Sequence, residues 1–173
     1  MTMSRIRNNY CFKIQLIIIL IIYLTTCKKP VTTFKDEALL NKLYSNSIDT
    51  LAIQTQDYIL ETYLNRDFFP GIGIGKKSPL IAEIYLVNID STAIPSYIDI
   101  KKLYIIQDHL IWASTPEAGV KPGVPDFKLN KLSRGGPEWN TGIYVDAIIM
   151  IVNSLTKEEY YLIARNQYVQ RSD

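Results

Sequence analysis

Apolar and polar residues alternate over several short segments of the chain, and this alternation constrains its fold more than any other feature. The clearest case is segment 80–89, in which every second residue from the first onward is apolar: Leu80, Ala82, Ile84 and Leu86. Because successive side chains of a β-strand point to opposite faces, this period predicts a strand with one buried face. Runs rich in Val, Ile and Tyr predict further strands over 58–65, 103–106, 110–113, 127–132, 143–152 and 160–168.

These segments predict an all-β domain of seven to eight strands. Segment 143–152 becomes apolar on both sides after Asp146, which favours a central position in a sheet. Segments 103–106 and 110–113 flank the tripeptide "QDH" and predict a hairpin. Short strands without long helices between them favour an antiparallel two-sheet β-sandwich of the immunoglobulin- or fibronectin-III-like kind. A small β-barrel is the alternative.

The N-terminal segment has the charge order of an export signal. Three basic residues and no acidic residue precede Cys27, and the apolar run over 16–24 is uninterrupted. A helix that crosses a bilayer needs roughly 20 apolar residues, whereas the core of a secretory signal needs roughly 7–15. Because the run is short for a span, we interpret residues 1–26 as a signal peptide. The alternatives are an uncleaved N-terminal anchor and a buried element of a cytosolic domain.

The sequence Leu24-Thr25-Thr26-Cys27 resembles the lipobox of bacterial lipoproteins, with Thr26 where Gly, Ala or Ser is usual. The resemblance implies cleavage before Cys27 and a covalent lipid on that cysteine, which anchors the protein to a membrane of the cell envelope. Lys28 follows in place of Asp, and this favours the outer over the inner membrane. The expected organisation is a signal peptide (1–26), a lipidated N-terminus with a tether (27–48) and a β-sandwich domain (49–173).

The predicted tether contains one local signal of regular structure. Thr33 and Asp36 precede a segment in which Leu39, Leu40 and Leu43 share one side, a pattern that indicates a short capped helix through Tyr44. The alternative is a solvated linker without regular structure.

Charge and cysteine content exclude several functions. Removal of residues 1–26 takes away three of the 19 basic residues and none of the 17 acidic residues, which leaves a formal charge of −1. No basic run remains that would follow a phosphate backbone, so we expect no nucleic-acid partner.

Cys11 lies in the signal and Cys27 carries the lipid, so the folded part has neither a disulfide nor a cysteine nucleophile. With one histidine, His109, we predict no metal site and no cofactor besides the lipid.

The sequence offers little support for catalysis. Segment 70–79, "PGIGIGKKSP", departs from a phosphate-binding loop because Pro70 takes the first glycine position and Lys77 the Ser/Thr position. His109 follows Asp108 in a predicted tight turn, where both residue types tolerate positive φ. Carboxylates are scattered singly, whereas a glycosidase needs two that face each other. We therefore predict a protein without enzymatic activity, and a hydrolase is the least favoured alternative.

Two predicted loops carry large aromatic residues between turn-forming residues. Phe68 and Phe69 lie in segment 65–71, and Trp139 lies with Arg134 in segment 133–142. Such aromatic side chains either plug the open ends of a sandwich or form a recognition surface. We interpret these four residues as candidate binding residues of a non-catalytic module that binds a macromolecule or has a structural role. The alternatives are carbohydrate-binding and protease-inhibitory modules. Expected partners are the membrane, through the lipid, and an envelope protein or glycan.

Overall fold

A computed structural model describes residues 33–69, 78–119 and 121–173 of the chain. Over these residues it contains one helix, α1 (Glu37–Asn46). The strands, in chain order, are β1 (Thr33–Phe34), β2 (Ser47–Ile48), β3 (Leu51–Ile53), β4 (Gln56–Asp67), β5 (Leu80–Asn88), β6 (Ile98–Gln107), β7 (Leu110–Ser114), β8 (Glu117–Ala118), β9 (Lys128–Ser133), β10 (Tyr144–Asn153) and β11 (Glu159–Ser172). The predicted signal peptide (1–26), the lipid site at Cys27 and the glycine-rich segment 70–77 lie outside the described residues.

The strands form one curled, open sheet, a half-barrel, in the order β1–β7–β6–β10–β11–β4–β5–β9–β8. Strand β11 connects the two halves of this sheet. Its first part pairs antiparallel with β10, and its last part pairs parallel with β4. Inward side chains from both halves form one main core, which includes the fully buried residues Leu64, Ile84, Leu86, Leu103, Ile105 and Ile149. Because this core joins both halves of the sheet, the described strands form one hydrophobic unit.

The all-β class is confirmed, and each predicted strand segment corresponds to an observed strand. The predicted hairpin is formed by β6 and β7 around Asp108, which has a φ of 53°. Strand β10 pairs with β6 on one side and with β11 on the other, which confirms its central position.

A two-sheet antiparallel sandwich is not confirmed, because the strands follow one continuous path. The pairings of β11 with β4 and with β2 are also parallel, so the prediction of a wholly antiparallel arrangement is wrong. The described residues contain more strands than the seven to eight expected. The additional ones, β1, β2, β3 and β8, are only two or three residues long, too short for alternation to reveal them.

The segment that was expected to form either a linker or a short capped helix is a helix. Asp36 adopts an extended conformation, and its carboxylate accepts a hydrogen bond from the backbone N–H of Leu39 at 2.9 Å, as an N-cap residue does. Leu40 and Leu43 of α1 are buried on the sheet face opposite the main core. They pack in a second cluster with Ile106, Ile111, Ile148 and Ile163. Residues 33–48 therefore pack against the sheet through α1 and pair with its strands through β1 and β2.

An irregularity in β11 determines which side chains point inward where β11 meets β4. The register between β10 and β11 shifts opposite Val145 and Ala147, and Asn166 in this region has a φ of 54°. Before the shift Leu162 belongs to the main core, and after it Val169 does. The inward positions of β11 thus change from even to odd numbers. Arg171, two residues beyond Val169, consequently lies on the inward side of the strand.

Candidate recognition site

Two arginines and a phenylalanine meet where β4 and β11 end. Arg66 of β4 lies directly opposite Arg171 of β11 in the parallel pairing. The guanidinium carbons of Arg66 and Arg171 lie 4.9 Å and 4.4 Å from the ring centroid of Phe68. The backbone N–H of Phe68 donates to the carbonyl oxygen of Ser172 at 2.8 Å, which holds the ring beside β11. The distances from both guanidinium carbons to the ring centroid are within the range of cation–π attraction. We call Arg66, Phe68 and Arg171 the arginine–phenylalanine cluster.

Arg66 is a buried cation without a carboxylate partner. The residue is only 9% exposed. Its Nε donates to the carbonyl oxygen of Ser78 at 2.6 Å, and its Nη1 donates to that of Trp139 at 2.5 Å. Every Asp and Glu of the chain lies among the described residues, and none forms an ion pair with Arg66. Burial of an uncompensated charge is costly, so these carbonyl dipoles and the Phe68 ring provide its stabilisation.

The structure brings all four predicted binding residues to this end of the domain, where β9 ends opposite Ala82 of β5 and Leu80 pairs with Arg66. Phe68 is half-buried in the cluster, and Phe69 beside it is 71% exposed. Trp139 is half-buried against the main core, and its carbonyl oxygen is tied to Arg66. Arg134 is exposed just after β9 and makes no hydrogen bond or ion pair with another described residue. Phe69 therefore presents the largest free aromatic surface, whereas Trp139 also has a packing role.

Sequence reasoning missed Arg66 and Arg171, although Arg66 had a detectable signal. In the alternating pattern of β4, Tyr58, Leu60 and Leu64 are buried, and Arg66 occupies the next position on the same side. A charged residue that continues an apolar alternation indicates a buried cation with a special environment. Arg171 had no such signal, because its inward orientation follows from the irregularity in β11.

A second exposed aromatic group lies on the outer face of the sheet. Tyr144 of β10 and Tyr168 of β11 are cross-strand partners that are 64% and 49% exposed. Their ring centroids are 5.4 Å apart and the rings are tilted by 57°. This geometry is an ordinary favourable aromatic pair, and it leaves ring surface in contact with solvent.

A groove of about 410 Å³ lies between the beginnings of β6 and β9. It is lined in part by Ile94, Tyr97, Asp99, Lys101, Lys128 and Leu129. Asp99 lies 2.7 Å from Nζ of Lys101 and 2.8 Å from Nζ of Lys131. Burial alone would raise the pKa of Asp99, but the hydrogen bonds from these two lysines outweigh burial and hold its pKa below the ordinary value. The contact with Lys131 links β6 to β9, which are not neighbours in the sheet.

The only histidine has a contact that fits a structural role. Nδ1 of His109 lies 3.0 Å from a carboxylate oxygen of Glu37, and both side chains are 65% exposed. This contact joins the β6–β7 turn to the beginning of α1. Within the described ranges, no group of three or more His, Cys, Asp and Glu residues has the arrangement of a metal site.

Comparison of this chain with protein families, with characterised proteins and with solved structures gives no match. Among the residues that the structure describes, no helix is long and apolar enough to cross a membrane.

Proposed function

We propose that the protein is a lipid-anchored component of the bacterial cell envelope whose β-domain binds another macromolecule. The N-terminal segment, with its lipobox-like Leu24-Thr25-Thr26-Cys27, supports the anchor. The absence of Asp after Cys27 favours the outer membrane. The protein acts as a binding or structural module without catalytic activity.

The exposure of Phe69 is the observation that most supports binding. A phenylalanine that is 71% exposed leaves a large apolar surface in water, which is unfavourable unless a partner covers it. Its backbone N–H donates to a carboxylate oxygen of Asp67 at 3.0 Å, so the residue is held at the end of β4. The neighbouring arginines have the side-chain chemistry that commonly dominates binding energy at protein interfaces.

A pull-down with matched variants tests this proposal. Residues 28–173 would be immobilised without the lipid and exposed to solubilised envelope from the source cell. The expected result is a co-purifying macromolecule that is lost with Phe69→Ala. Leu155→Ala is the matched control, because Leu155 is 69% exposed in the β10–β11 turn, away from the cluster. Equal recovery with both variants would contradict a role of Phe69 in binding.

Metabolic labelling tests the anchor separately. Radiolabelled palmitate is expected to enter the wild-type chain and not Cys27→Ala. Equal labelling of both proteins would show that Cys27 is not the lipid site.

A carbohydrate-binding module is the second candidate, and the exposed pair Tyr144 and Tyr168 favours it. Aromatic ring faces attract the C–H groups of sugars, and few charges are needed for such recognition. Titration with envelope polysaccharides is expected to change tyrosine fluorescence, and the change is expected to disappear in Tyr168→Ala. Flat titrations would exclude this candidate.

The immunoglobulin- or fibronectin-III-like assignment of the fold stays a prediction.

A further inference from the structure

We infer that the arginine–phenylalanine cluster is a site for a carboxylate group of an acidic segment in a partner protein. The inference rests on the proposed binding function and names the chemistry of the partner at this surface. Arg66 and Arg171 are direct cross-strand neighbours, and like charges in this position destabilise a sheet.

The protein itself compensates these charges only in part. Arg171 lies 2.8 Å from a carboxylate oxygen of Asp173, but the two side chains are 55% and 64% exposed. An ion pair that is exposed to this degree contributes little, because water and salt screen it. Arg66 has no ion pair at all, although it is the more buried of the two arginines. The two guanidinium groups of the cluster therefore have one exposed carboxylate partner, Asp173, and they lie beside the exposed Phe69.

The guanidinium groups also retain hydrogen-bond donors. A guanidinium has five N–H donors in a planar fork, and Arg66 uses Nε and Nη1 for the carbonyl oxygens of Ser78 and Trp139. Arg171 directs Nε and Nη2 at the carboxylate of Asp173, which an incoming carboxylate would replace. Among the described residues, no acceptor contacts Nη2 of Arg66 or Nη1 of Arg171. A carboxylate accepts two parallel hydrogen bonds from such a fork.

The surroundings of the cluster hold both arginines in place before a ligand arrives. The guanidinium carbons of Arg66 and Arg171 lie 4.9 Å and 4.4 Å from the centroid of the Phe68 ring, so one ring contacts both groups. The carbonyl contacts restrict Arg66, and the parallel pairing of β4 with β11 fixes the backbone positions of both residues. Such preorganisation lowers the entropic cost of binding. Phe69 offers an apolar contact for the side chain next to the bound carboxylate.

Nuclear magnetic resonance of the arginine Nε–H groups gives a direct test. Residues 28–173 would be titrated with an acetylated, amidated tetraglutamate peptide and, separately, with the corresponding tetraglutamine peptide at equal ionic strength. The expected result is a saturable shift of the Arg66 and Arg171 signals with tetraglutamate only. Equal shifts with both peptides, or shifts that follow ionic strength alone, would overturn the inference.

Two substitutions make the test specific. Arg171→Gln is expected to weaken tetraglutamate binding by about 10- to 100-fold, as the loss of a hydrogen bond to a charged group does. Lys42→Gln changes the net charge equally on α1, which packs on the opposite face of the sheet, and is expected to leave the affinity unchanged. Equal weakening by both substitutions would show a general charge effect. Arg66→Lys keeps the charge and loses the fork, so it is expected to weaken binding as well.

The result is separable from that of the proposed function. If Phe69→Ala abolishes capture of the envelope partner while Arg171→Gln does not, the binding function stands and the carboxylate site is wrong. If tetraglutamate binds through Arg171 but Phe69→Ala has no effect on capture, the site stands and the role of Phe69 is wrong.

Discussion

Truncation of Leu43 tests whether α1 is an integral part of the folded domain. Leu43 is 1% exposed and packs with Leu40 against isoleucines of the sheet. Complete burial of a leucine side chain contributes about 1.5–3 kcal/mol, and a cavity adds a further cost where neighbours cannot close it. Because the helix has only ten residues and lies on an outer face, part of the cavity can collapse. We therefore expect Leu43→Ala to lower the free energy of unfolding by about 2–4 kcal/mol.

Urea denaturation of residues 28–173, followed by circular dichroism, measures this change. Lys42→Ala is the matched control, since Lys42 is the exposed neighbour of Leu43 in the same helix, and its effect is expected to be within about 0.5 kcal/mol. A loss below about 0.5 kcal/mol for Leu43→Ala would refute the packing of α1 against the sheet. A second unfolding transition at low urea would show that the helix docks as a separate unit.

Three further predictions concern single contacts. Asp36→Ala removes the N-cap of α1 and is expected to cost about 1 kcal/mol in the same denaturation assay; no change would show that the cap does not stabilise the helix. Burial, followed by the hydrogen bond to Asp146, raises the pKa of Tyr44 to about 12, so folding keeps a proton that the unfolded chain releases near pH 10. The contribution of Tyr44 to the free energy of unfolding is thus fully present below about pH 10 and is lost between about pH 10 and 12. The decline of the free energy of unfolding with pH is expected to be shallower in Tyr44→Phe than in the wild type, and equal slopes would contradict this expectation. Gly136→Ala places a methyl group 2.9 Å from the backbone oxygen of Leu80, so a cost of about 1–3 kcal/mol is expected, and unchanged stability would show that this segment moves freely.

The strands that were predictable from sequence are those whose burial alternates over many residues. In β5 the sequence pattern and the observed burial agree at Leu80, Ala82, Ile84 and Leu86, which are all fully buried. This agreement arises because one face of the strand lies against the core along its whole length. The parallel pairing of β11 with β4 was not predictable, since it joins residues more than 100 positions apart and follows a register shift near Asn166.

The candidate site was predictable only in its aromatic part. Phe68, Phe69 and Trp139 were identifiable because large aromatic residues in loops are unusual. Arg134 was chosen because it lies near Trp139 in sequence, yet the arginines at the cluster come from β4 and β11. Their proximity depends on sheet pairing, and sequence spacing contains no information about it. The predictions for Cys27 and residues 1–26 stay open, because they fall outside the described residues.

Site-specific photo-crosslinking in living cells tests the central claim most directly. The full-length chain would carry a photoreactive amino acid at the position of Phe69 or, as the control, at the position of Leu155, two residues of similar exposure. Our account predicts a discrete crosslinked product in the envelope fraction from position 69 and none from position 155, and it predicts weaker crosslinking from position 69 when Arg171→Gln is also present. No discrete product from position 69, or the same product from both positions, would contradict the assignment of this end of the domain as the recognition surface.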